Sequence, residues 1–97
     1  MIDLKLLKEL SEREPKKLLE RTVKLQEEVG ELAQEVLIHQ KVSGTQHKSH
    51  GQDGILGECV DVALVALSIY FYHGGDIEDL EACINKKFQK WRKHQKV

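Results

Sequence analysis

Residues 55–72, ILGECVDVALVALSIYFY, constrain this chain more than any other stretch. Read as a helix, the run points Val60, Val62, Ala63, Leu64, Val65, Ala66, Leu67, Ile69 and Phe71 in nearly every direction. A helix that is apolar all round is expected to be buried all round. A fully buried strand is the rival reading, but 18 residues without a turn signal, rich in Ala and Leu, favour helix. A chain of 97 residues has little else to cover such a helix, so packing against a second copy is expected. Yet Glu58 and Asp61 sit on it, one turn apart and facing nearly the same way. Two neighbouring ionised carboxylates in a buried position are costly unless compensated by protonation, by an arginine or lysine, or by a cation.

The rest of the chain is also helical in pattern. Residues 3–12 have the apolar spacing of a short amphipathic helix. Pro15 fits the first turn of a second, running from Lys16 to about Gln40 with Leu18, Leu25, Val29, Leu32 and Val36 on one stripe. Residues 41–54 read as a loop, with Asp53 placed to cap the apolar helix. Gly74 and Gly75 stop that helix, and Asp76 with Asp79 opens a last one to about Lys93, with Ile77, Leu80, Ile84, Phe88 and Trp91 inward. The expected fold is all-α: a helical bundle of three main helices plus a short N-terminal helix, a single domain over 1–97, completed by oligomerisation.

Charge narrows the function. Lys plus Arg is 15 against 16 Asp plus Glu, which argues against a general nucleic-acid binder. The distribution is uneven: residues 21–84 hold four basic and eleven acidic side chains, and residues 85–97 hold six basic ones and no acid. Two cysteines inside apolar runs suggest buried thiols in a reducing compartment. No secretory leader pattern is visible, and the most apolar run, Val62 to Tyr72, falls short of the about 20 residues a membrane span needs. A cytoplasmic protein with no membrane partner is expected.

On the first long helix, at about 100° per residue, Glu27, Glu31, Glu35 and Glu28 fall at about 0°, 40°, 80° and 100°. They form an acidic band whose Glu28 edge borders the apolar stripe. Antiparallel packing through the loop brings the Glu28–Glu31 turn near Glu58 and Asp61, so four to six carboxylates face one small volume. The nearby bases are few: Arg21, Lys24, Lys41 and Lys48. Repulsion on that scale calls for a divalent ion. Oxygen-only ligation selects a hard one, Mg²⁺ with Mn²⁺ able to substitute. A di-iron bundle would want Glu-x-x-His pairs, and no Glu here has a His three residues later.

Glu27-Glu28-Val29-Gly30-Glu31 followed by Glu58-Cys59-Val60-Asp61 resembles the E-E-x-x-E … E-x-x-D signature of the MazG-like all-α nucleoside triphosphate pyrophosphohydrolases. Asn85-Lys86-Lys87-Phe88-Gln89-Lys90 is similar to their late N-x-K-F-x-R/K segment, and the resemblance covers roughly residues 16–94. It implies Mg²⁺-dependent hydrolysis of a nucleoside or deoxynucleoside triphosphate to monophosphate and pyrophosphate, in a homodimer or homotetramer with sites near subunit contacts. It further implies that Glu28, Glu31, Glu58 and Asp61 hold metal. Glu27 is then a further ligand or the base that orients water, and Asn85, Lys87 and Lys90 meet the triphosphate. Trp91 stands where some relatives carry a second basic residue, which leaves the phosphate contacts open. Phosphoribosyl-ATP pyrophosphohydrolase, with similar acidic motifs, and a non-catalytic helical interaction module are the alternatives. Cys59 points about 100° from Glu58 and reads as core packing. Glu35 reads as solvated, and His47 and His50 as surface histidines of the loop.

Overall fold

The computed structural model describes residues 1–41, 44, 50, 51 and 54–95. The cap expected at Asp53 and the loop residue His47 lie outside them. The fold is all-α: helix α1 spans Leu4–Arg13, α2 Leu18–His39, α3 Gly54–Tyr72 and α4 Ile77–Gln95, with no strand among the described residues.

Local chemistry sets the ends. Asp3 Oδ1 accepts the Leu6 N–H at 3.0 Å and starts α1. Pro15 lies ahead of α2 rather than in its first turn, because Lys17 is extended (ψ 178°) and the helix begins after it, with Glu20 Oε1 accepting the Lys17 N–H at 3.2 Å. Asp76 Oδ1 accepts the Asp79 N–H at 2.7 Å and opens α4. Between α3 and α4, Gly74 takes φ +96°. A Cβ on Gly75 would sit 2.2 Å from the Tyr70 ring, so the turn closes against that ring only with glycine there. The Tyr70 hydroxyl donates to the Asp76 carbonyl at 2.9 Å across the same turn.

α2 and α3 form the main packed pair, α1 lies across α3, and the α4 backbone approaches α1 alone. No Cα of α4 comes within 8 Å of α2 or α3. The chain is correspondingly open: its radius of gyration is 16.2 Å, against about 13 Å for a compact domain of about 100 residues.

Burial departs from the sequence pattern in an instructive way. Among the described residues only Phe71 and Leu80 are buried apolar side chains. The α2 stripe is only partly inward: Leu25 and Leu32 are half-buried, Leu18, Val29 and Val36 are exposed, and the buried α2 residues are Arg21, Glu28 and Glu35, at steps of seven. α3 is apolar all round but covered on one side only, with Leu56 82% exposed and Val60 and Leu64 open beside it. On α4, Leu80 is buried as expected, but Ile84, Phe88 and Trp91 are exposed. Cys59 and Cys83 are exposed free thiols, not core. The common cause is that one chain has too few helices to cover its own apolar surface. α3 as a whole, 19 residues with mean hydropathy 1.8, is also long and apolar enough to cross a membrane by length and composition, unlike its most apolar 11-residue part.

Arg21 joins the three inner helices. It is 2% exposed. Nε donates to the Lys16 carbonyl at 2.7 Å and Nη1 to Ser68 at 3.0 Å; Nη2 donates to Ser11 at 2.7 Å and Glu14 at 2.9 Å. The guanidinium carbon lies 4.3 Å from the Tyr72 ring centroid.

Candidate metal centre

The antiparallel pairing of α2 and α3 brings Glu28, Glu31 and Glu58 together: one carboxylate oxygen of each lies within 4.8 Å of the others. Glu28 is 7% exposed, Glu58 is half-buried and Glu31 faces solvent. Glu31 and Glu58 also line a cavity of about 260 Å³ with Gln34, Glu35, Ile38 and Gly51.

The electrostatics of the group are unbalanced. Lys24 Nζ lies 3.0 Å from Glu28 Oε1 and 3.5 Å from Glu27 Oε1. These two glutamates, Glu28 first, raise the Lys24 pKa and keep it charged. Glu28 Oε2 and Glu58 Oε2, by contrast, are buried with no hydrogen-bond partner. Burial pushes the Glu58 carboxyl above its ordinary value; the charges of Glu31, Asp61 and Glu28, and a proton it can share with the Glu28 carboxyl, push it further. Of the three carboxylates, Lys24 therefore answers one oxygen of Glu28, and among the described residues no second ammonium or guanidinium pairs with the group. Arg21, on the same face of α2, is spent on main-chain carbonyls.

Of the residues singled out from sequence, Glu28, Glu31 and Glu58 converge. Asp61 is half-buried near enough to act on Glu58, but outside the group of three. Glu27 is exposed and pairs with Lys24. Asn85, Lys87 and Lys90 lie exposed on α4, no Cα of which comes within 8 Å of α2 or α3, and they are not part of the carboxylate group.

Glu35 is the residue the pattern hid. It is 4% exposed, not solvated. Its Oε2 lies 2.8 Å from His50 Nδ1, and its Oε1 accepts the Gly51 N–H in a short hydrogen bond. The His50 contact, opposed by burial and helped by the Gly51 N–H, holds the Glu35 carboxyl below its ordinary value. The available signal was spacing: Arg21, Glu28 and Glu35 repeat every seven residues, which keeps one helix face toward one neighbour.

The donor set is all carboxylate oxygen, with two buried oxygens that have no hydrogen-bond partner, and Glu31 and Glu58 border a cavity. That suits a hard divalent ion, whose remaining positions water or substrate oxygens can fill. Fold and site together define an all-α chain with an acidic group between two antiparallel helices. No family model matches the chain, and no curated protein or solved structure is significantly similar to it.

Proposed function

We propose that the chain is a MazG-like nucleoside triphosphate pyrophosphohydrolase that uses Mg²⁺, or Mn²⁺ in its place, and cleans the cytosolic nucleotide pool. The observation that carries this reading is the pair of buried, donorless oxygens of Glu28 and Glu58 beside Glu31. Glu28, Glu31 and Glu58 would hold the ion, with Asp61 at its border. When bound, a divalent ion neutralises phosphate oxygens and lowers the pKa of a bound water. Glu27, on the solvent side of the group, orients the attacking water. Positioning and charge do most of the work, and no nucleophilic side chain is required.

The reading also favours more than one chain. No Cα of α4 comes within 8 Å of α2 or α3, so Lys87 and Lys90 would meet a triphosphate across a subunit contact. The open faces of α3 and α4 supply the apolar surface for such a contact. Light scattering at micromolar concentration is expected to give a dimer or tetramer; a monomer would remove the basic half of the site.

The direct test is a panel of ribo- and deoxyribonucleoside triphosphates with Mg²⁺, scored by chromatography for monophosphate and pyrophosphate, with Glu28→Gln as control. Turnover by the wild type and a loss of about 100-fold or more in the variant are expected. Including phosphoribosyl-ATP separates the two candidate substrate classes. If no triphosphate turns over and Mg²⁺ leaves the melting temperature unchanged, the exposed Ile84, Phe88 and Trp91 favour a helical interaction module instead.

A further inference from the structure

Glu35 lies one turn beyond Glu31 on α2, yet it is tied up with main chain and histidine rather than with the other carboxylates. Its partners, His50 and Gly51, are the last described residues before α3 begins at Gly54. A carboxylate on α2 thus fastens the chain just as it enters the helix that carries Glu58. The fit is close: a Cβ on Gly51 would come 3.0 Å from Glu35 Oε1, tighter than ordinary side-chain contact. Glu35 and Gly51 also line the same cavity as Glu31 and Glu58. His50 is partly exposed, with the His39 ring centroid 6.1 Å from its own, and it reaches Glu35 from the solvent side.

We propose that Glu35 is a positioning residue for the metal centre: by holding Gly51 and His50 against α2, it sets the distance between Glu58 on α3 and the Glu28–Glu31 pair. This rests on the divalent-ion reading above. Small hard ions tolerate little change in oxygen spacing, and groups that orient a ligand set typically govern affinity by about 10–100-fold.

The test uses the full chain in two measurements. The first is Mn²⁺ titration, read by the loss of the free-ion electron paramagnetic resonance signal. Glu35→Ala is expected to weaken Mn²⁺ binding by about 10-fold or more. Glu35→Gln restores most of it, because its Oε1 still accepts the Gly51 N–H. The second is amide hydrogen exchange in the metal-free protein. Exchange from Glu58 to Asp61 is expected to quicken in Glu35→Ala, while the C-terminal half of α3 stays as in the wild type. If Glu35→Ala does not fold, His50→Ala removes one of the two ties and is expected to show a smaller change of the same kind. Wild-type Mn²⁺ affinity and exchange in whichever variant folds overturn the proposal. A wild type that takes up no Mn²⁺ sinks the ion reading instead, and the exchange data then still decide whether Glu35 positions Glu58.

Discussion

Glu58→Gln is expected to raise the melting temperature of the metal-free protein at neutral pH while erasing its response to Mn²⁺. The sign follows from the direction of the Glu58 pKa. Burial, then Glu31, Asp61 and Glu28, raise it above its ordinary value in the folded chain. Between the ordinary carboxylate value and that raised one, the folded state binds more protons than the unfolded state. Stability contributed by Glu58 is therefore present at low pH and falls as pH rises through this window. At neutral pH an ionised Glu58 opposes folding, and an amide of the same shape does not. On the divalent-ion proposal a bound ion offsets the repulsion in the wild type. At about 100 times the dissociation constant it would add about 2.7 kcal/mol, a shift of about 10 °C or more for a chain of this size. Thermal melts of both proteins with and without Mn²⁺ decide the matter. A glutamine variant that is less stable without metal, and shifts with Mn²⁺ like the wild type, would show that Glu58 is a structural residue.

Arg21→Met is expected to cost about 3–5 kcal/mol, measured by urea denaturation. The guanidinium is almost wholly buried and bonds to carbonyls of Ser11, Glu14, Lys16 and Ser68, which belong to α1, its connection to α2, and α3. Methionine fills much of the space but leaves those oxygens without their donor. Domains of this size have only about 5–15 kcal/mol in total. Arg21→Lys keeps the charge, but a compact ammonium does not span the fork, so most of the loss is expected there too. The same contacts matter to the site, because they occupy the one arginine on the Glu28 face of α2. A methionine variant within about 1 kcal/mol of wild type would contradict this role.

The helices were legible because apolar spacing, Gly74-Gly75 and the Asp76 cap are local signals. The meeting of Glu28 and Glu31 with Glu58 was legible too, since helical rotation and antiparallel pairing suffice to place it. The inward face of α2 was not. Periodicity marks Leu18, Leu25, Val29, Leu32 and Val36 as the apolar stripe, but it does not say which neighbour covers them. The covered face carries Arg21, Glu28 and Glu35, with Leu25 and Leu32 half-buried at its side and the other three exposed. α4 fails the same way: its pattern gives Ile84, Phe88 and Trp91 an inner face that the rest of the chain does not cover. Arg21 and Glu35 were hidden for another reason. Their partners are main-chain groups far along the sequence, and residue types carry no trace of a carbonyl or amide that only the fold brings near.

The unpartnered oxygens of Glu28 and Glu58 are proposed to face a divalent ion. A crystal grown with Mn²⁺, measured at a wavelength where manganese scatters anomalously, decides this. An anomalous peak is expected about 2.1 Å from both oxygens, with Glu31 beside it. No peak there, with the Mn²⁺ concentration well above that used in the titration, would contradict it.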